Sequence, residues 1–253
     1  MTRPLSTLIL SLFALASAMP AQAVDLLVPS YFYPGGRTNY WLKLDSAAPR
    51  AHVTAILNPA SGPGSSADAN YVNAVTQLHA AGGKVIAYVS TRYTARALSD
   101  VTADIDRYLA FYPVDGFFID EMTNDTVTAH VQFYQSVYNY IKGLNAQYTV
   151  VGNPGASTQE IYLSLPVADQ LVVFEGSASA YASYAPSSWQ VSYDKSHFVH
   201  MVYNASKTQM TKYMANAGAR EAGSLFVTSD RLPNPYDTLP AYWSDEVTAA
   251  AAH

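Results

Sequence analysis

The chain has no cysteine in 253 residues. That excludes disulfides, thiolate metal sites and a lipid-anchored cysteine, and leaves the fold to hold by packing alone. Charge is scarce too: 13% of residues are Asp, Glu, Lys or Arg, against roughly 25% in a typical globular chain. There is no basic stripe. With 14 Lys and Arg against 19 Asp and Glu, the formal net charge is −5, so nucleic acid is not an expected partner. No H-x-x-x-H pair or Asp-rich loop supplies a ligand set, so neither a metal nor a cofactor is expected. The sequence shows no internal repeat and no low-complexity linker, and beyond the N-terminus no apolar run is long enough to span a bilayer.

The N-terminus carries an export pattern. Arg3 gives a positive start, Leu8 to Ala16 is apolar apart from Ser11, and Ala21-Gln22-Ala23 ends in small residues at cleavage spacing. The expectation is a signal peptide over 1–23 and a mature domain over 24–253. The mature chain would be secreted or periplasmic, with no membrane contact after cleavage and a formal charge of −6 once Arg3 is removed. Tyrosine is abundant: 20 outnumber the 9 Phe and 3 Trp combined. A flat apolar face with a hydroxyl suits sugar rings, although tyrosine-rich packing is an equally ordinary use.

Strands and helices alternate along the mature chain. Asp25 to Tyr33, His52 to Asn58, Lys84 to Ser90, the FFIDE run at Phe117 to Glu121, Tyr148 to Gly152, Gln170 to Phe174, His197 to Tyr203 and Ser224 to Thr228 read as eight strands. Between several of them lie helical periodicities, such as Tyr71, Val75 and Leu78 after the N-cap candidate Asp68, or Val131, Tyr134, Val137, Tyr138 and Ile141. Pro240 to Ala251 reads as a last helix. Eight strands joined by crossovers predict a single (β/α)8 TIM-type barrel, with a doubly wound open sheet as the alternative.

In such a barrel the C-terminal ends of all strands meet on one face. Asp120, Glu121, Glu175 and Asp230 would converge there, with Tyr31, Asn58, Tyr88, Asn153, His200 and Tyr203 as substrate-binding candidates. Two acids directly after a buried strand cannot go unpartnered without a large desolvation cost, so they belong in a polar cleft. Several carboxylates among amides and aromatics suit glycoside hydrolysis, in which one carboxyl delivers a proton and another attacks or activates water. Asn58 and Asn153, each before a proline, read equally well as turn residues. A lone His200 is more often a core histidine than a ligand.

The segments NPASGPG (Asn58 to Gly64), YVST (Tyr88 to Thr91), PVDGFFIDE (Pro113 to Glu121), GNPG (Gly152 to Gly155), VFEGS (Val173 to Ser177) and the terminal SDRLPNPYDTLPAYW resemble those of the spherulin-4-like proteins, which include hydrolases of α-1,4-linked galactosamine polymers. The resemblance implies a (β/α)8 barrel acting as an endo-glycosidase on exopolysaccharide of galactosamine and N-acetylgalactosamine, a biofilm matrix material. It implies that Asp120, Glu121 and Glu175 form the acidic trio. Within it, Asp120 is assigned as nucleophile or ion-pair stabiliser of the oxocarbenium-like transition state, Glu175 as general acid/base, and Glu121 as a group that tunes charge or holds an amino group. An amino-sugar polysaccharide is the expected partner, met by a monomer. Stereochemistry is open, as is a non-catalytic carbohydrate-binding or coat role on the same barrel.

Overall fold

A computed structural model describes residues 23–252; the expected signal peptide, apart from Ala23, lies outside them. Eight strands, β1 (Leu26–Ser30), β2 (Val53–Leu57), β3 (Lys84–Ser90), β4 (Gly116–Asp120), β5 (Thr149–Gly152), β6 (Gln170–Ser177), β7 (Phe198–Tyr203) and β8 (Ser224–Val227), form one sheet in chain order. Every neighbouring pair is parallel. A parallel bridge between Asp25 and Ser224 closes β8 onto β1, with Asp25 N–H donating to the Gly223 carbonyl at 2.9 Å and Leu225 N–H to the Asp25 carbonyl at 2.9 Å. This is the (β/α)8 barrel, and the open-sheet alternative is set aside because its edges are paired.

The helices are α1 (Trp41–Ala47), α2 (Ala69–Ala80), α3 (Leu98–Phe111), α4 (Thr128–Leu144), α5 (Ile161–Ser164), α6 (Ala178–Tyr181), α7 (Lys207–Ala215) and α8 (Trp243–Ala251). Asp68 caps α2 by accepting from Asn70 N–H at 2.8 Å, and Gly82, at φ +92°, stops it. Ser206 and Gln209 form a reciprocal capping box on α7. In the sequence, α1 and α5 carry no readable period, because seven and four residues are too few turns to establish one. The last helix begins at Trp243 rather than Pro240, whose carbonyl instead accepts the Trp243 N–H in an entry turn. Similarly, β1 ends at Ser30, since Tyr31 N–H leaves the ladder for the Tyr236 carbonyl.

Side-chain alternation sorts the strands into two layers. Leu27, Ile56, Ile86, Phe118, Val151, Val172, Val199 and Met201 fill the barrel interior as a cluster of their own. Their neighbours, among them Val28, Leu57, Ala87, Phe117, Ile119, Val150, Leu171, Val173 and Val202, pack outward with the helices. Gly116 lets β4 and β5 pair, because a Cβ there would meet the Thr149 carbonyl oxygen at 2.1 Å.

Candidate active site

Two residues beyond the interior layer, in the same inward phase, stand Tyr88 on β3, Asp120 on β4 and Asn153 just after β5. Glu175 does not belong to that phase by counting. From Val172 inward, simple alternation would turn Phe174 into the barrel and Glu175 out. A register shift between Val172 and Phe174 inserts one residue into β6, so that Phe174 pairs with His200 and Glu175 with the inward Met201. The bulge therefore aims Glu175 at the cleft and sends Phe174 out against Tyr181 and Tyr184.

Asn153 joins the two acids. Its Nδ2 donates to Asp120 Oδ1 and to Glu175 Oε2, each at 2.9 Å. The orientation of the amide follows from its other end: Oδ1 accepts the Gly155 N–H at 2.7 Å, so the NH₂ group must face the carboxylates. Asn153 is buried at 5% exposure, and its backbone is held by Ile119 and Met122. On the far side, the Tyr236 hydroxyl donates to Glu175 Oε1 at 2.8 Å. Tyr236 and Tyr88 both stand edge-on to Tyr31, making an aromatic wall whose hydroxyl pKa values are pushed upward, by burial first and then by the acids.

Burial raises the pKa of Asp120 to about 6. The Tyr88 hydroxyl and the Glu121 N–H work against the shift, while the Glu175 and Glu121 charges add to it. Glu121 takes a left-handed backbone, φ +53°. That turn swings its carboxylate to the Ser90 hydroxyl, with which it hydrogen-bonds, instead of out between the helices as strand alternation would place it. The cleft is a cavity of about 220 Å³ lined by Tyr31, Tyr93, Asp120, Glu121, Asn153, Glu175 and Tyr236, among others.

Of the residues singled out in the sequence, Tyr31, Tyr88, Asp120, Glu121, Asn153 and Glu175 come together. Tyr203 stands in the inward phase of β7, half-buried, close enough to Tyr236 to affect its ionisation. Asn58 is a turn residue, its Oδ1 accepting the Gly62 N–H at 3.0 Å. Asp230 is engaged by the Thr238 hydroxyl in the loop after β8 and does not line the cleft. The expectation for His200 is corrected: lying between inward Val199 and Met201, it points outward. It is fully buried, with Nδ1 2.8 Å from the Tyr181 hydroxyl, and burial lowers its pKa to about 3. Tyr236 and Tyr93 were missed. For Tyr236 the one local signal was its place within the SDRLPNPYDTLPAYW motif. Among the described residues no group of three His, Cys, Asp or Glu could hold a metal ion, and no helix is long and apolar enough to cross a membrane.

The same (β/α)8 barrel recurs in other solved structures. A superposition on the Arthrobacter globiformis cyclic α-maltosyl-(1→6)-maltose hydrolase has a TM-score of 0.59 at 11% identity, covering 91% of this chain and 80% of that one, a likeness of fold alone. The likeness to Aspergillus clavatus Sph3 in complex with GalNAc is stronger, with a TM-score of 0.80 at 25% identity, covering 92% of this chain and 99% of that one. Spherulin-4 of Physarum polycephalum is 34% identical over 248 residues, which are 93% of this chain and 73% of that protein. The model for spherulation-specific family 4 matches residues 25–250, and the chain belongs to this family.

Proposed function

We propose that this protein is an endo-acting glycoside hydrolase that cleaves α-1,4-linked galactosamine and N-acetylgalactosamine exopolysaccharide, the fabric of a biofilm matrix. A leader over 1–23 would direct the domain over 24–253 to the periplasm or the exterior. The observation that carries the reading is the pair of carboxylates held by one amide nitrogen. Because Asp120 Oδ1 and Glu175 Oε2 each lie 2.9 Å from Asn153 Nδ2, they are at most about 5.8 Å apart, short of the ~6.5 Å at which inverting pairs begin. Family membership and the GalNAc bound to Sph3 support the choice of sugar.

The spacing favours retention. Asp120 carboxylate attacks the anomeric carbon as the glycosidic C–O bond breaks, and Glu175 gives its proton to the departing oxygen. Water then attacks the glycosyl ester with Glu175 taking its proton, which restores both groups. Glu121 tunes the local charge and offers a partner for a substrate ammonium. The raised pKa of Asp120 favours a second assignment with the two roles exchanged, since a carboxyl that holds its proton is suited to be the acid.

Mass spectrometry of products from a partly N-acetylated α-1,4-galactosamine polymer, with chitosan as control, tests the activity. Wild type should release hexosamine oligomers from the first polymer, and Glu175→Gln and Asp120→Asn should not. Azide distinguishes the roles: rescue of the acid/base variant yields a glycosyl azide of retained configuration, and rescue of the nucleophile variant one of inverted configuration. Binding without release by wild type would leave a carbohydrate-binding or coat protein.

A further inference from the structure

Beside the acids, the loop after β3 contains a run of unusual backbone. Arg92, Tyr93 and Thr94 have φ of +47°, +54° and +69°, three consecutive non-glycine residues in the left-handed region that side chains with a Cβ disfavour. The run is tied to the catalytic strand. Thr91 N–H donates to the Asp120 carbonyl at 3.0 Å, Thr91 Oγ1 to the Glu121 carbonyl at 2.9 Å, and Tyr93 N–H to the same carbonyl at 2.7 Å. Glu121 is itself left-handed, so two unfavourable turns hold each other in place. Such strain persists where the surroundings over-determine it, and it clusters at ligand clamps.

The result is Tyr93 at the mouth of the cleft. It lines the 220 Å³ cavity with Asp120, Glu121 and Glu175, yet it is 59% exposed. Among the described residues its ring pairs with no other aromatic and its hydroxyl makes no hydrogen bond, whereas Tyr31, Tyr88 and Tyr236 pack their rings on one another. Arg92, on the other side of the turn, lines a second cavity of about 630 Å³ with Ser61, Tyr88, Ser90 and Glu121. The turn is thus a ridge between two cavities that share Glu121.

We propose that Tyr93 is a stacking platform for the sugar adjoining the scissile bond, and that a bound chain crosses this ridge from the catalytic cleft into the larger cavity. The inference rests on the glycan-cleaving reading and adds a specificity-determining residue to it. An unpartnered aromatic face over open space suits the C–H face of a pyranose, and a chain of two or more sugars is needed to reach from one cavity into the other.

The test is calorimetric binding of a partly N-acetylated α-1,4-galactosamine hexamer to full-length Glu175→Gln protein, alone and combined with Tyr93→Ala or Tyr93→Phe. Chito- and malto-hexamers serve as further probes, and thermal melting checks the fold. Ala should weaken hexamer affinity about tenfold while Phe stays within about twofold, as expected for a ring face rather than a hydroxyl. In the protein that keeps Glu175, Tyr93→Ala should raise KM more for the hexamer than for the dimer. Equal affinity of the Ala and Tyr forms, or a loss with Phe equal to that with Ala, overturns the platform and leaves the substrate reading standing. If only the chito- or malto-hexamer binds, and Ala weakens it, the substrate reading falls and the platform stands. Binding of none of the three overturns the platform.

Discussion

Replacing Asp120 with Asn should change how stability depends on pH. In the folded protein burial lifts the Asp120 pKa from 3.8 to about 6; in the unfolded chain it returns to its ordinary value. A raised carboxyl pKa means that the folded state holds the proton more tightly. The associated stability is therefore fully present below pH 3.8, is lost as pH rises through about 6, and is absent above that. A shift of about two units corresponds to about 3 kcal/mol between the two limits. The amide of the variant cannot ionise and escapes that loss. It does introduce an NH₂ group where a carboxylate oxygen faced donors, which costs about 1–2 kcal/mol at every pH. The sharp expectation is accordingly a difference of differences: the stability of the variant relative to wild type should rise by about 2.5 kcal/mol from about pH 4, where a little of the effect is already lost, to about pH 8. Urea unfolding followed by tryptophan fluorescence across that range measures it. The buried acids Asp45 and Glu246 also titrate abnormally, but they are common to both proteins and cancel in the comparison. Parallel pH profiles, or a variant that loses ground to wild type as pH rises, would refute the reasoning, because they would mean that the donors around Asp120 outweigh its burial.

Under the primary assignment of roles, kcat/KM should rise with pH through about 6 as Asp120 loses its proton, and a pH–rate profile of Tyr88→Phe should move that limb upward because one donor to the carboxylate is lost. Removing the bridge by Asn153→Ala should lower kcat by about 10²–10³-fold, with a smaller effect on KM, since it frees both acids to drift from their working separation; steady-state kinetics on the galactosamine polymer checks this. His200→Asn should leave kcat and KM within about twofold while costing about 1–3 kcal/mol in urea unfolding, because its partner is the buried Tyr181 hydroxyl and not the cleft. On α8, Glu246 is fully buried with its pKa pushed well up, and its Oε1 accepts the N–H of Val227 on β8 at 2.7 Å. Glu246→Ala should therefore destabilise by about 1–3 kcal/mol and Glu246→Gln by less, with the Gln variant gaining on wild type as pH rises.

Much of the site can be read from the sequence because strand alternation is local. Once β3, β4 and β5 are recognised, Tyr88, Asp120 and Asn153 follow two residues after Ile86, Phe118 and Val151 in the inward phase. Treating every strand end as part of the cleft is what misled for His200, since counting from Val199 already turns it outward. Asn58 shows a second limit: its place in the inward phase is right, but the Gly62 N–H claims its side chain. Tyr236 lies 61 residues from Glu175, and no local pattern announces a contact over that distance.

The alternation of short apolar strands with amphipathic helices, the absence of any covalent staple and the acids that end two buried strands are properties of neighbouring residues, so the sequence by itself determined the barrel and named its acidic pair. Tertiary structure decided which way those acids face. The bulge that turns Glu175 inward exists because Phe174 finds its packing against Tyr181 and Tyr184. The left-handed turn of Glu121 is held by hydrogen bonds from the loop after β3, and the separation of the two carboxylates is set by an amide arriving from β5. Each depends on groups far apart in the chain whose interactions form only once the barrel has closed around them.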